Sequence, residues 1–460
     1  MLCFTLNDHT GQTGFKICPF LKWAQILYFA FVFFLGLIIY FIKPRCLFIY
    51  WLGVTPLVTP IFFFLFPVDN ETFFDLYFTS YRPLGYMLCV ILILEYIRHP
   101  HLILKDKMVI YGSISLLAFL IIQNVNIAFS ISSCLNDIFD VSFMVCPLFL
   151  LARFQGVRPT SNALIAFVKF VVILQAVCCF LNFLGIRIYK SIYIYDSFEL
   201  NAISGSFARY NHMANYLTTL FLFISLWYFV TKIISKKTYI ELTIIIGILV
   251  LLSGAKASLL LYLFVFFSFL YLQSRSKVKR IIMFIAPCII SFLLLFYIKG
   301  INQGEAEKVS GLERNIYGLA HVFQSSSKND DSTLFLSTLL YKRFFDNPIL
   351  GNGYLNYDID KYSTSIGNWY SVDVFLSDAR LLFTLVEYGI LGTSLYIFFY
   401  FSVFRYIKES THLKNVYVWL IAGYYILLTV TEIGIFDIYI YAMIFIFLFI
   451  NNTKNVLIKK

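Results

Sequence analysis

Long runs of apolar residues, separated by short polar segments, dominate this chain of 460 residues. An α-helix needs about 20 apolar residues to cross the roughly 30 Å hydrocarbon core of a membrane. Thirteen runs approach or reach that length, and because two of them are short, twelve spans remain an alternative. The runs lie near residues 23–42, 46–67, 83–97, 108–128, 138–152, 163–185, 213–230, 239–254, 257–273, 281–298, 378–404, 416–431 and 435–450.

Composition favours a membrane protein over a large soluble one. Hydrophobic residues make up 60% of the chain and charged residues only 13%, whereas soluble domains are about half apolar and a quarter charged. Soluble cores also stop growing at a few hundred residues. We therefore predict an all-α, polytopic transmembrane helical protein with about 12–13 spans, in which residues 1–460 form a single integral membrane domain.

Basic residues predict which ends of the runs face the cytoplasm. The net charge is +11, but Lys and Arg occur in short clusters between apolar runs, which argues against nucleic-acid binding. Cytoplasmic loops carry an excess of Lys and Arg, and the clusters alternate in register with the runs. The cytoplasmic clusters are Lys43 and Arg45; Arg98, Lys105 and Lys107; Arg153 and Arg158; Lys232, Lys236 and Lys237; Arg275, Lys277, Lys279 and Arg280; Arg405, Lys408 and Lys414; and Lys454, Lys459 and Lys460.

The same register places three segments outside the cytoplasm: an outer loop at 186–212, a tight turn at 253–258, and a long loop at 299–375. Between Lys299 and Val374 the long loop has seven Lys/Arg and nine Asp/Glu. Loops of this length are usually functional. The run at 334–345 has helical spacing, which predicts a short helix lying on the membrane surface or packed within a small outer domain.

Candidate chemistry concentrates in segments at this outer face: SGSFARYNHMANYL (204–217), SGAKAS (253–258), and the pair RFFDNPILGNGY (343–354) and SDARLLFTLVEYGILG (377–392). The planar guanidinium of Arg209 suits phosphate oxygens, although Arg209 could also be an interfacial anchor. A charge at membrane depth, such as Lys256, is a functional candidate, unless its side chain reaches the interface as an anchor.

Other residues in these segments have both structural and functional interpretations. Asp378 is either a helix N-cap or a carboxylate aimed at a bound hydroxyl, in which case Arg380 would stabilise a nearby anion. His212 is either a structural group or part of the site. Asn215 is expected to cap or hydrogen-bond the start of a helix, and Asp346-Asn347-Pro348 with two glycines predicts a turn.

Several chemistries lack their sequence signatures. The chain has no Walker motif, Rossmann glycine pattern or metal-ligand cluster, and no predicted cytoplasmic loop is long enough for a nucleotide-using domain. The nine cysteines fall mostly within apolar runs and form no CxxC pair. We therefore expect neither a cofactor nor a metal, and a reaction that draws its energy from a substrate already at the outer face.

The order of the outer segments resembles the O-antigen polymerase and O-antigen ligase superfamily, which includes the Wzy-type polymerases. In that family an outer Arg with Gly and Asn precedes a span, a small basic turn joins two spans, and a long periplasmic loop ends in a Pro-Gly turn followed by an E-x-G-I-L-G segment. The resemblance covers residues 200–400. It implies a glycosyltransferase of the bacterial cytoplasmic membrane, multi-pass, with an active site facing the periplasm or cell exterior.

The implied reaction joins oligosaccharide repeat units carried on undecaprenyl diphosphate into an O-antigen or a capsule, without a metal. The implied partners are the lipid-linked oligosaccharide and membrane lipid, and a chain-length regulator is a further candidate. By the resemblance, Arg209 and Lys256 contact the diphosphate, and Arg314 or Arg343 adds a basic contact from the long loop. Asp378, at a position where ligases carry His, takes the acceptor proton.

Two alternative functions remain at this point. An O-antigen ligase belongs to the same superfamily but is disfavoured because Asp378 replaces the ligase His. A flippase or other transporter for lipid-linked oligosaccharides would typically show two similar halves, and no repeat is visible in this chain. Lys256 also departs from the family's usual Arg, so it loses bidentate phosphate binding.

Overall fold

A computed structural model of the chain describes helices and their connections along much of its length. The described residues are 19–53, 82–99, 107–127, 146–147, 149–151, 154–184, 203, 205–207, 210–253, 255–274, 276, 344–352, 380–411 and 415–431. Within these ranges the regular structure is helical and no strand occurs, which confirms the all-α prediction.

The described helices follow the predicted apolar runs. Only the first residues of the run at 46–67 and a few of the run at 138–152 are described, and the runs at 281–298 and 435–450 lie outside the described residues. The principal helices are α1 (Pro19–Ile42), α2 (Arg82–Arg98), α3 (Lys107–Ile127), α4 (Ser161–Phe183), α5 (Tyr210–Leu226), α6 (Lys236–Ser253), α7 (Lys256–Gln273), α8 (Arg380–Thr411) and α9 (Asn415–Thr431).

Two stretches of the described chain are long and apolar enough to cross a membrane, namely Ser161–Phe183 and Met213–Thr231. Shorter apolar helices cover Ile26–Ile42, Val109–Gln123 and Ser258–Gln273. Fewer described helices are long and apolar enough to cross a membrane than the 12–13 spans predicted for the whole chain.

Two helices extend beyond the predicted runs. Helix α5 begins at Tyr210, three residues before the run predicted at 213–230 and within the segment 186–212 predicted as an outer loop. The run predicted at 378–404 becomes a longer helix, Arg380–Thr411, whose backbone is broken at Gly389. Hydrophobicity alone does not reveal the break, because Gly389 lies inside a run that is apolar on average.

Helix α5 forms the centre of the described core. Every side chain from Met213 to Leu226 is buried, as expected of a helix that packs on all sides. Helix α4 differs, since it presents an exposed apolar stripe at helical spacing to its surroundings. The exposed fractions in that stripe are 60% for Phe170, 58% for Ile173, 51% for Val177 and 60% for Phe180.

Contacts and connections show that α5, α7 and the part of α8 after Gly389 begin at the same end of the bundle. Ser258 in the first turn of α7 bonds to Asn215 near the start of α5. At the opposite end, Gln273 of α7 donates to the Tyr417 hydroxyl of α9 at 3.3 Å. Helix α8 packs on α9 and is joined to it by a connection of three residues, so α8 also ends there. We call the end at which α5, α7 and the part of α8 after Gly389 begin the site end.

Candidate functional site

The segment that leads into α5 is fixed against the last turns of α4. The backbone N–H of Ser206 donates to Oε1 of Gln175 at 3.0 Å, and Nε2 of Gln175 donates to the Ser206 hydroxyl at 2.5 Å. Nδ2 of Asn182 donates to the carbonyl of Gly205 at 3.1 Å. Gly205 has φ +61°, and a Cβ there would lie 2.3 Å from Gln175. The glycine is therefore required for this close approach.

The starts of α5 and α7 are joined by a buried side-chain pair. The Ser258 hydroxyl donates to Oδ1 of Asn215 at 2.7 Å. Nδ2 of Asn215 is buried and has no hydrogen-bond partner among the described residues. A buried donor without an acceptor costs about 1–3 kcal/mol.

The predicted tight turn at 253–258 is confirmed, since α6 ends at Ser253 and α7 begins at Lys256. The Ser253 hydroxyl donates to the carbonyl of Val250 at 2.7 Å and accepts from the N–H of Ala255 at 3.2 Å. Lys256 is the first residue of α7, where the helix dipole already carries partial positive charge. A positive charge in that place is unfavourable by roughly 0.3–1 kcal/mol in the field of the helix dipole, and a neighbouring anion would offset this.

The predicted turn at 346–353 is confirmed within the described residues, and it docks into the break in α8. Gly389 has φ +60° and ψ −171°, so Ile390 and Leu391 cannot donate to the preceding helical turn. They donate instead to the carbonyls of Pro348 at 2.9 Å and Ile349 at 3.1 Å. We call residues 347–352 the docked segment.

The docked segment also forms hydrogen bonds with the part of α8 that precedes Gly389. The carbonyl of Val386 accepts two hydrogen bonds from Asn352, one from its backbone N–H at 2.8 Å and one from Nδ2 at 3.3 Å. Nε2 of Gln123 on α3 donates to the carbonyl of Leu350. The bonds from Asn352 replace the one that the Val386 carbonyl would accept from Ile390 in a regular helix, so this carbonyl remains paired. The bond from Gln123 holds the docked segment against α3.

Close packing makes the docking specific to glycine at two positions. A Cβ on Gly389 would lie 2.4 Å from the carbonyl oxygen of Ile349 and 2.5 Å from the nitrogen of Gly351. A Cβ on Gly392 would lie 2.4 Å from the ring of Phe119 on α3. The two glycines of the E-x-G-I-L-G segment therefore let the docked segment and α3 approach the backbone of α8.

The predicted site residues are placed as follows. His212 lies in the first turn of α5, and Lys256 and Arg380 are the first residues of α7 and α8. The structure thus brings the backbones of His212 and Lys256 to the site end, whereas Arg380 begins the piece of α8 that precedes the break at Gly389. The side chains of all three residues lie outside the described part. Arg209, Arg314, Arg343 and Asp378 lie outside the described residues.

Sequence reasoning missed the buried amides that organise this end. Gln123 and Gln175 sit within apolar helices and are fully buried, and each bonds to a loop segment that approaches from outside its helix. A polar side chain within a long apolar run was the available signal. Asn215 was expected to bond the start of its own helix, but its bond to Ser258 links two helices.

Among the described residues, no group of three or more His, Cys, Asp or Glu side chains comes together that could hold a metal ion. Comparison with known proteins does not assign the chain to a family. No protein-family model matches it, and no curated protein matches it.

Proposed function

We propose that this protein is a multi-pass glycosyltransferase of the bacterial cytoplasmic membrane. It joins oligosaccharide repeat units carried on undecaprenyl diphosphate into a surface polysaccharide, as Wzy-type polymerases do. The site end of the bundle faces the periplasm or the cell exterior. The exposed apolar stripes on α4 and other helices support the membrane location, because soluble monomers rarely leave such large apolar patches uncovered.

The observation that carries this proposal is the meeting of separate outer segments at the site end. The segments 204–217, 253–258 and 377–392 are far apart in sequence, yet the helices that they begin start at one end of the bundle. The docked segment binds to the break in α8 and to Gln123 of α3. An enzyme that binds a lipid diphosphate and a sugar acceptor needs basic and acidic groups from several elements at one place.

In the proposed reaction the acceptor hydroxyl attacks the anomeric carbon of the donor glycan. A new carbon–oxygen bond forms there as the bond to the diphosphate breaks, and undecaprenyl diphosphate leaves. Asp378 takes the proton of the acceptor hydroxyl. Arg209 and Lys256 neutralise the leaving diphosphate together with Arg314 or Arg343, and Arg380 stabilises charge near the acceptor.

The test is the glycan profile of a bacterial strain that lacks the gene, compared with the same strain carrying the wild-type gene. We expect the deletion to remove the polymer ladder and to leave a single repeat unit attached to its carrier. Full-length polymer accumulating on the lipid carrier would instead indicate a ligase. Unpolymerised units accumulating on the cytoplasmic leaflet would indicate a flippase, and either result would overturn the proposal.

Substitutions of Lys256 at the start of α7 test the role of a single charge. Lys256→Ala should remove the ladder, because the leaving diphosphate loses a counter-charge. Lys256→Arg should retain at least part of it, because Arg also binds phosphate. The ladder of each variant is compared at equal protein level in the membrane. Complete loss in Lys256→Arg would mean that Lys256 acts through tight packing and not through its charge.

A further inference from the structure

A long apolar groove lies between α6 and α7, lined by exposed isoleucines of α6 and by tyrosines that pack on the core. Its volume is about 540 Å³, which is within the usual range for a small-molecule site. One wall follows α6 from Tyr239 to Leu251, and the other follows α7 from Tyr262 to Leu270. We call this the α6–α7 groove, and its lining includes Ile240, Ile244, Ile248, Tyr262, Phe266 and Leu270.

The polar groups along the groove are already used within the protein. The Tyr262 hydroxyl donates to the carbonyl of Thr243 at 2.9 Å, and the Thr243 hydroxyl donates to the carbonyl of Tyr239 at 2.7 Å. Its three isoleucines on α6 stay 43–55% exposed. A ligand in the groove therefore finds hydrocarbon and aromatic surface without free hydrogen-bond partners, so its own buried part must be apolar.

Packing behind the groove keeps its shape. The ring of Phe221 on the central helix α5 lies 4.5 Å from the ring of Tyr262. Gly247 allows Tyr262 to lie against α6, since a Cβ at that position would come within 2.8 Å of the Tyr262 hydroxyl. The floor is thus formed by rigid aromatic rings, and the missing side chain at Gly247 leaves room above them.

The groove lies below the turn that contains the candidate diphosphate contact Lys256, and its lining on α7 begins at Tyr262, six residues after Lys256. Its upper end, Leu251, is two residues before Ser253, whose hydroxyl holds the turn that leads into Lys256. Between Leu251 and Tyr239, helix α6 extends about 18 Å along its axis. A lipid whose diphosphate lies at Lys256 would have its hydrocarbon chain start at the upper end of the groove.

We propose that the α6–α7 groove binds the first part of the polyisoprenoid chain of the lipid-linked substrate. This inference rests on the proposed function, since it assigns the hydrocarbon part of the same substrate. The groove orients the lipid, so that its diphosphate stays at the start of α7 while the glycan is transferred.

The test uses purified full-length protein in phospholipid nanodiscs and undecaprenyl phosphate that carries a diazirine in its chain. After irradiation, mass spectrometry should find the label on peptides from α6 and α7. Undecaprenyl diphosphate should compete with labelling, and excess phosphatidylglycerol should not. Ile248→Trp and Ile244→Trp fill the groove and should lower the labelling about tenfold. The matched control is Ile173→Trp, a similarly exposed position on α4, which should label like the wild type.

Unchanged labelling in both groove variants, or equal competition by phosphatidylglycerol, would overturn the inference and leave only ordinary surrounding lipid in the groove. The outcome is separable from that of the proposed function because labelling does not require polymerisation. If the groove is labelled but the protein makes no polymer ladder in cells, the lipid-binding groove stands and the polymerase function is rejected. If the protein makes a ladder but the groove is not labelled, the polymerase function stands and the lipid-binding groove is rejected.

Discussion

Gly389→Ala is expected to undo the docking of residues 347–352 and to remove polymer synthesis. The backbone at Gly389 (φ +60°, ψ −171°) is one that other residues rarely adopt. The added Cβ would also meet the backbone of Ile349 at 2.4 Å, and backbone atoms have little freedom to move aside. Strain and lost hydrogen bonds together should destabilise the protein by about 3 kcal/mol or more. A lower melting temperature in detergent and loss of the ladder would both be measured.

Gly423→Ala is the matched control for this change. Gly423 lies within α9, where the atom nearest to a new Cβ is in the ring of Phe264 at 3.5 Å, an ordinary contact. Alanine in a helix interior is more favourable than glycine by roughly 0.5–1 kcal/mol, so this variant should melt no earlier than the wild type. A Gly389→Ala protein with the wild-type melting temperature would show that the docked segment does not need the break in α8.

Asp378→Asn should lower polymer synthesis by about 10²–10⁴-fold while the protein remains folded in the membrane. The amide keeps the size of the side chain but cannot take a proton from the acceptor hydroxyl, and general-base catalysis contributes on that order. The rate would be measured as the incorporation of labelled repeat units by membranes that contain equal amounts of each variant.

Asp346→Asn removes a carboxylate of the same type from an exposed position just before the docked segment. It should retain nearly wild-type synthesis, because Asp346 is assigned no part in the reaction. If Asp378→Asn kept its activity, Asp378 would not be the base. If both variants lost the same amount of activity, the loss in Asp378→Asn could not be attributed to proton transfer.

The positions of the helices could be predicted from the sequence, and their interruptions could not. Apolar runs located every principal described helix, because burial and span length both depend on uninterrupted hydrophobicity. A hydropathy window averages across Gly389, so it predicts a regular helix there. The glycines at 389 and 392 and the Pro348 turn were visible separately. Nothing in their spacing indicates that the carbonyls of the turn would bond to the amides of the break.

The local parts of the candidate site could be predicted from the sequence, and its contacts between distant residues could not. The turn at 253–258 depends on neighbouring residues only, and the structure confirms it. The bond between Asn215 and Ser258 joins residues 43 positions apart, so it follows from the packing of α5 against α7 and not from a local pattern. Of the seven predicted site residues, the structure places the backbones of His212 and Lys256 at one end, and the roles of all seven stay predictions.

The bonds between Asn352 and Val386 also determine where this chain can change during evolution. Both ends of the stretch 353–379 are held in place, since Asn352 is anchored to α8 and Arg380 begins that helix about 9 Å before Val386 along its axis. A tethered loop can double its length for only about 0.6 kcal/mol of closure entropy. Insertions before Asp378 are therefore expected to leave the helical frame and its hydrogen bonds unchanged, and under the proposed function they would alter the sugar unit that is accepted.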